Sequence, residues 1–245
     1  MSILSIIAIT GCESDKLSNT DNQEVVWKVS RLVFDDFYYG FKYDSQDRMS
    51  QIIFGEVAGD EEIMARVFYE GNEVTKLLED VNVTYELDAK GRVVKASPTF
   101  LRSYDDEEDD DYEVFEYGTN GYISRVTGPL MPDCEFEVTN GNYTRMSVNG
   151  SGLSIEYTEY PNNYSIDMNY YLLNSATLTP FYCLWFSKFP GTVCQNLIKR
   201  ISGSDNVVTY YYTFDAAGRV SSITMNKSYG DGENIIAGMT VQYEE

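Results

Sequence analysis

Apolar and polar residues alternate along several segments of the chain. The clearest segments are 81–87, 134–139, 153–158 and 165–172, in which every second position is apolar. Successive side chains of a β-strand point to opposite faces, so a period of two predicts strands with one buried and one solvated face. No segment carries a convincing apolar stripe of helical period and length. The pattern therefore predicts an all-β protein.

A short turn motif recurs between these predicted strands. Its two clear copies, Leu87–Val93 and Phe214–Val220, read apolar, Asp, two residues, Gly, Arg, aliphatic, while Tyr43–Met49 is a degenerate copy with Asp47 in the place of Gly. The Asp side chain accepts hydrogen bonds from backbone N–H groups two or three residues on, and Gly supplies the positive φ that closes a hairpin. We expect the Arg of each copy to pair with a nearby acid or to lie over a Tyr ring.

The spacing of strands and turns predicts the architecture. Strand, polar turn and strand recur about every twenty residues, which is typical of an antiparallel up-and-down meander. Such a long meander twists, so it is expected to close into a barrel or to curl into a half-open one. With no low-complexity linker after residue 25, residues 26–245 are interpreted as a single domain.

One aromatic-rich stretch, residues 173–196, interrupts the recurring pattern of strands and polar turns. We interpret it as a plug packed on the concave face of the sheet, or alternatively as a platform that stacks on sugar rings or on a protein partner. The densest cluster of aromatic residues within it consists of Tyr182, Trp185, Phe186 and Phe189.

The charge of the chain narrows the classes of partner. The sequence has 18 Lys and Arg against 39 Asp and Glu, a net charge of −21. A surface this acidic repels phosphate backbones, so no nucleic-acid partner is expected. The chain has no histidine, which excludes Ser-His-Asp and Cys-His catalysis and His-based zinc sites.

Carboxylates are the remaining candidates for ligand chemistry. The run 105–111 is wholly acidic, and its weak candidate calcium ligands are Asp105, Asp106, Asp109 and Asp111. Because the run lacks the Gly and the alternating spacing of known calcium loops, a solvated repulsive loop is the preferred interpretation. No cofactor is expected, calcium being the one candidate. A carboxylate pair could hydrolyse glycosides without histidine, but no local signature marks such a pair.

The amino terminus resembles a bacterial lipoprotein signal. An apolar run leads into Ile9-Thr10-Gly11-Cys12, which is similar to a lipobox. This resemblance implies a signal peptide over residues 1–11, lipidation of Cys12 and a flexible lipid-anchored tether over 12–25. No Lys or Arg precedes the apolar run, a departure that a start codon further upstream would explain. The alternative is an N-terminal strand with a chance Cys.

Export would place the other cysteines in an oxidising compartment. Cys183 and Cys194 flank a Pro-Gly turn and are a candidate disulfide pair. Cys134 would then remain as a buried free thiol on a strand.

The lipobox, the polar tether and the repeated hairpins together resemble an uncharacterised family of Bacteroidota lipoproteins with a porin-like β fold. The hairpin motif is also similar to the YD repeats of large toxin shells, although only two copies here are intact. Neither resemblance transfers a catalytic residue. We expect the barrel not to span the membrane, because the apolar runs are short and the Tyr residues form no girdles.

The working hypothesis for function is a binding or scaffolding module. The resemblance implies anchorage in the outer membrane or on the cell surface of a Gram-negative type envelope, with the membrane contacted through the lipid and a glycan or a protein as partner. A carboxylate-based hydrolase of the envelope and a purely structural envelope lipoprotein are the alternatives. The sequence points to a protein that is not an enzyme, without deciding the matter.

Overall fold

The computed structural model describes residues 26–78, 82–97, 112–129, 133–148, 150–169, 172, 192–204, 206–230 and 234–244. These residues form sixteen β-strands. The strands are β1 Val29–Val33, β2 Phe37–Tyr43, β3 Met49–Glu56, β4 Glu61–Glu70, β5 Glu73–Leu78, β6 Asn82–Leu87, β7 Val93–Ser97, β8 Glu113–Tyr117, β9 Ile123–Thr127, β10 Cys134–Thr139, β11 Asn142–Val148, β12 Ser151–Pro161, β13 Asn196–Ser202, β14 Asn206–Phe214, β15 Val220–Tyr229 and β16 Asn234–Tyr243.

The strands form one closed barrel. Each strand pairs antiparallel with its neighbours in sequence, and β1 pairs with β16 to close the sheet. The predicted all-β up-and-down meander is therefore confirmed, and of the two forms left open by the sequence the closed one is found. Among the described residues, no helix has the length and apolarity needed to cross a membrane.

An up-and-down barrel has two ends, which alternate along the chain. We call the end that carries the turns after even-numbered strands the Asp-turn end, because the three motif copies join β2 to β3, β6 to β7 and β14 to β15 there. The first residue of β1 and the last residue of β16 also lie at this end. We call the opposite end, which carries the turns after odd-numbered strands, the far end.

Apolar side chains fill the barrel in two clusters. One cluster joins β1–β3 to β12–β16 and includes Leu32, Ile52 and Ile201, and the other joins β4–β11 and includes Val83 and Tyr85. Each fully buried aliphatic side chain of this kind contributes about 1.5–3 kcal/mol. The predicted alternation is confirmed on β6, β10 and β12, where the apolar members face the core.

The segment after β12 enters the core instead of forming a strand. The alternation of residues 165–172 predicts a strand, and this prediction is wrong: none of the described residues from 162 to 172 lies in a strand. Ile166 and Met168 are fully buried, and the polar residues Asp167 and Asn169 are buried as well. The polar positions here meet hydrogen-bond partners inside the protein rather than water. We call the described residues 162–169 and 172 the inserted segment.

The outer face of the barrel is polar on β9–β11. On β10, Cys134 faces the core while Glu135 and Glu137 face outward. Arg125 of β9 and Arg145 of β11 flank these glutamates on the same outer face. Each Arg would cost about 2–4 kcal/mol near the middle of a bilayer, so this part of the outer surface suits water rather than lipid.

Candidate functional site

The Asp-turn end is built from one repeated backbone turn. In each copy the Asp N–H donates to the backbone oxygen of the Arg, and the residue at the Gly position donates back to the Asp oxygen. The Gly position has a positive φ in every copy, 76° at Gly91, 79° at Gly218 and 61° at Asp47. Asp47 therefore adopts the conformation that Gly adopts in the intact copies.

The sequence motif missed a fourth copy. Gly118 donates its N–H to the Tyr122 oxygen and Gly121 donates to Gly118, which is the same pair of bonds. Gly121 has a φ of 84°. Gly118 and Tyr122 occupy the Asp and Arg positions, so the backbone turn persists after both motif side chains are lost.

The Asp side chain organises the intact turns. Asp88 Oδ1 accepts from the N–H groups of Lys90 at 2.9 Å and Arg92 at 3.0 Å, two and four residues on, and Oδ2 accepts from the Arg92 guanidinium. The bond to the residue two on is as predicted, whereas the second donor lies one residue further than expected. The Arg92 side-chain bond is the main cause that lowers the pKa of Asp88 to about 2. The pKa values of Asp44 and Asp215 are lowered as well.

Each turn Arg lies over a Tyr of the strand that comes after its hairpin, so it both pairs with an acid and covers a ring. Guanidinium carbon and ring centroid are 4.0 Å apart in Arg48–Tyr69, 4.2 Å in Arg92–Tyr117 and 4.5 Å in Arg219–Tyr243. The Tyr hydroxyls donate to the backbone oxygens of Met49, Val93 and Val220 at 2.8, 2.6 and 2.8 Å. A bulge interrupts each hairpin beside its turn. The hydroxyl thus supplies a donor where the ladder is disrupted.

The seam between β1 and β16 repeats these contacts without a connecting turn. Glu244 donates its N–H to the Lys28 oxygen, as the turn Asp does to Arg. Tyr43 donates its hydroxyl to the Val29 oxygen at 2.7 Å, and Lys28 lies 6.0 Å from the Tyr43 ring centroid. Lys28 also pairs with Asp47. The charges and carbonyls of the Asp turns and of the seam are therefore satisfied within the fold, which indicates structure rather than ligand binding.

Buried amides fasten the inserted segment to β13. Asn169 accepts from the Ile198 N–H at 2.8 Å and donates to the Asn196 oxygen at 2.6 Å. Asn142 exchanges two further bonds with Asn196, each 3.0 Å long. These bonds satisfy backbone groups at the start of β13 that no longer meet a regular strand.

Cys194 belongs to the same region. Its side chain is buried with Sγ 3.3 Å from the Tyr157 hydroxyl, and burial raises the pKa of the Cys194 thiol to about 12. Its predicted partner, Cys183, lies outside the described residues, so the pairing stays a prediction. Cys134 is the buried free thiol expected from the sequence, and burial raises its pKa to about 11. Neither thiol is suited to act as a nucleophile at neutral pH.

The far end contains an apolar pocket with a volume of about 420 Å³. It is bounded by the β1–β2 turn on one side, by β14–β16 on the other and by Leu172 of the inserted segment. Its lining residues are Phe34, Asp35, Asp36, Phe37, Leu172, Tyr210, Ile223, Met225, Ile236, Ala237, Gly238 and Met239.

Rings and carboxylates give this pocket its chemical character. Phe34 and Phe37 stack with centroids 4.5 Å apart, and Phe54 continues the stack at 5.6 Å from Phe37. Asp35 and Asp36 are exposed at the rim. A volume of this size with mainly apolar walls and a few polar groups is typical of a small-ligand or side-chain site.

Most residues singled out from the sequence lie outside the described residues. These are Cys12, the acidic candidates Asp105, Asp106, Asp109 and Asp111, and the aromatic residues Tyr182, Trp185, Phe186 and Phe189. Those predictions stay predictions. Within the described ranges, no group of three or more Asp, Glu or Cys side chains is arranged to hold a metal ion.

Sequence reasoning missed the far-end pocket. Phe34, Leu172 and Ile236 come from three distant parts of the chain, so no local motif joins them. Two local signals were nevertheless present in the sequence. One is the segment Phe34-Asp35-Asp36-Phe37, in which two aromatic residues flank two acids, and the other is the apolar pair Ile235-Ile236 beside a polar turn.

Comparison with solved structures identifies the fold. A porin-like protein from Bacteroides uniformis ATCC 8492 has a TM-score of 0.69 and 16% sequence identity, over 88% of this chain and 98% of that one. A porin-like protein from Bacteroides vulgatus ATCC 8482 has a TM-score of 0.57 and 15% identity, over 89% of this chain and 99% of that one. A toxin pore structure from Photorhabdus luminescens has a TM-score of 0.26, too low to support the likeness to YD repeats.

No protein-family model and no curated protein sequence matches the chain. The porin-like β fold implied by the sequence resemblance is therefore confirmed at the level of structure. At these identities the likeness extends to the fold and carries no activity.

Proposed function

We propose that the protein is a lipid-anchored binding module of the bacterial envelope, with the far-end pocket as its ligand site. The observation that carries this proposal is the apolar pocket of about 420 Å³ lined by Phe34, Phe37 and Ile223. Its walls would desolvate an aliphatic or aromatic group of a ligand. Asp35 and Asp36 would attract a cationic group at the rim.

The contrast between the two ends supports this choice of site. At the Asp-turn end, the Asp and Arg side chains of the intact turns are bonded to each other, the Arg covers a Tyr ring, and the Tyr hydroxyl is bonded to a backbone oxygen. At the far end, Ile236 is 70% exposed beside the pocket. Exposed apolar surface next to a concave apolar site is a common mark of ligand or partner binding.

A pocket-filling substitution tests the proposal. Ala237 lines the pocket on β16 and is exposed, so Ala237→Trp should fill the space without removing a contact. The probe is N-phenyl-1-naphthylamine, whose fluorescence rises in apolar surroundings. We expect wild-type protein to bind it and Ala237→Trp to bind about tenfold more weakly or not at all.

Thr240→Trp is the matched control, because Thr240 lies on the same strand and is exposed on the polar outer face. This variant should bind the probe as wild type does. Equal binding by all three proteins, or no binding by wild type, would reject the pocket as a ligand site.

The anchor proposal uses the path of the chain. Residues 26–28 approach the barrel beside the inserted segment, with Trp27 donating its N–H to the Asn163 oxygen. A tether from Cys12 would therefore join the barrel at the Asp-turn end, opposite the pocket. The polar patch around Arg125 and Arg145 on the outer face supports a barrel held outside the bilayer.

Substitution of Cys12 tests the anchor separately. Cys12→Ala should move the protein from the membrane fraction to the soluble fraction of cells, because a lipidated Cys would be its attachment to the bilayer. Retention of Cys12→Ala in the membrane fraction would rule out lipidation as the means of attachment.

A further inference from the structure

The seam that closes the barrel joins two strands of unequal length. β16 has 10 residues and β1 has 5. β1 pairs with β16 only over Thr240–Tyr243, because the chain turns back after Val33, with Phe34 donating its N–H to the Phe37 oxygen. Across the part of the chain that the structure describes, no strand pairs with this edge of β16 between residues 235 and 239.

The backbone pattern shows which groups this open edge presents. Glu244 points its N–H towards β1, where it bonds to the Lys28 oxygen. Alternate residues of a strand direct their N–H and C=O groups to the same side, and the register of β16 with β15 is regular from Asn234 to Thr240. The N–H and C=O groups of Ile236 and Gly238 therefore point to the open edge.

The open edge and the apolar pocket are parts of one surface. Ile236 and Gly238 line the pocket together with the β1–β2 turn, which faces them across it. A strand laid along residues 235–239 would occupy the path that a longer β1 would have taken. Every second side chain of that strand would point towards the pocket, and the others would point to the outer face.

We propose that this surface binds an extended peptide segment of a partner protein, in which basic and apolar side chains alternate, by adding it as a strand to β16. The inference rests on the proposed function, since it names the ligand class of the same pocket. The backbone edge supplies main-chain hydrogen bonds, and the pocket receives an apolar side chain, which is how peptides recognise open sheet edges.

Charge selects the kind of peptide. Asp35 and Asp36 are exposed at the pocket rim, and neither forms an ion pair with another described residue. The whole chain has a net charge of −21. A basic segment would be attracted, whereas a second copy would bring two strongly negative surfaces and two Asp pairs together. A basic peptide is therefore the occupant that the charge favours.

The test measures binding of short labelled peptides to the purified full-length chain by fluorescence anisotropy. The main probe is a fluorescein-labelled hexapeptide that alternates lysine with valine. One comparison peptide replaces lysine by glutamate, and another carries N-methyl groups on its backbone, which keeps the side chains but removes the donors. We expect both comparison peptides to bind about tenfold more weakly than the lysine peptide, or worse.

Two protein variants complete the design. Gly238→Pro removes an N–H from the open edge without removing a bond to β15, and should weaken the lysine peptide about tenfold. Asp36→Asn removes a negative charge from the rim, so it should weaken the lysine peptide and should not weaken the glutamate peptide. The N-methylated peptide keeps the test valid if Gly238→Pro does not fold.

The outcomes separate this inference from the proposed function. If wild type binds the naphthylamine but not the lysine peptide, strand addition is overturned and the pocket proposal stands. The same holds if peptide binding is unchanged both by the N-methyl groups and by Gly238→Pro. If wild type binds neither the naphthylamine nor the lysine peptide, both the pocket proposal and the strand addition are overturned. A dimer in sedimentation that Gly238→Pro abolishes would overturn the peptide in favour of a second copy.

Discussion

The two ends of the barrel differ in how far their polar groups are satisfied by other groups of the fold. At the Asp-turn end, polar groups left over by tight turns and bulges are bonded to side chains of the same fold, as Asp88, Arg92 and Tyr117 illustrate. At the far end, an apolar pocket, an open strand edge and two exposed acids have no such arrangement among the described residues. The repeated residues therefore build stability, and ligand chemistry is to be expected where the repeat is absent.

This comparison makes the inserted segment the most sensitive part of the Asp-turn end. Asn169, which is 1% exposed, satisfies the Ile198 N–H and the Asn196 oxygen. Asn169→Ala would leave both backbone groups buried without partners, at a cost of about 3 kcal/mol in the free energy of unfolding. Urea unfolding followed by tryptophan fluorescence measures this loss.

Asn163→Ala is the control, because Asn163 contacts Trp27 through its backbone oxygen and keeps that bond after truncation. It should unfold at nearly the same urea concentration as wild type. Comparable losses in the two variants would show that the side-chain bonds of Asn169 carry no special weight.

The next effect contrasts an acid from each end. Asp88→Ala removes the acceptor for the N–H groups of Lys90 and Arg92 and the partner of the Arg92 guanidinium. We expect the melting temperature to fall by about 4 °C. Asp36→Ala, at the far end, removes a carboxylate with no ion pair among the described residues and should leave the melting temperature unchanged. If Asp36→Ala were the more damaging change, the contrast between the ends would be wrong.

A smaller effect isolates one hydroxyl of the Arg–Tyr pairs. Tyr243→Phe keeps the ring below Arg219 and removes only the bond to the Val220 oxygen, which should cost about 1 kcal/mol. Tyr211 is 58% exposed on the outer face, so Tyr211→Phe should change the free energy of unfolding very little. Equal values for the two variants in urea titrations would refute a role for the hydroxyl at the bulge.

Local features of the sequence predicted the strands and turns because interactions between neighbouring residues determine them. Alternation on β6 and the Asp-Gly turn after it need only neighbouring residues. Closure of the barrel depends on β1 meeting β16 across the whole chain, so the sequence left a closed and a half-open form equally open.

The inserted segment and the pocket could not be predicted from local sequence patterns, for different reasons. Asp167 and Asn169 look like the solvated face of a strand, yet both are buried and hydrogen-bonded inside the barrel. The pocket combines Phe37, Leu172 and Ile236, which only the closed topology brings together. Sequence therefore predicted an irregular stretch at 173–196 but placed Leu172 in a strand, and it did not show which pocket that residue would line.

The smallest effect concerns acid pH and again distinguishes the two ends. The pKa of Asp88 falls from 3.8 to about 2 on folding, mainly through its bond to the Arg92 side chain. A carboxylate with a lowered folded-state pKa adds stability above its unfolded pKa, and this contribution is lost as the pH falls through the folded value. Wild type should therefore lose this contribution between about pH 4 and pH 2. Asp88→Asn, which carries no charge to titrate, should show a shallower decline in urea midpoint over that range, the remaining slope coming in part from Asp44 and Asp215. Asp36→Asn should decline as wild type does, and an equally shallow decline in that variant would mean that acid sensitivity is not a property of the Asp turns.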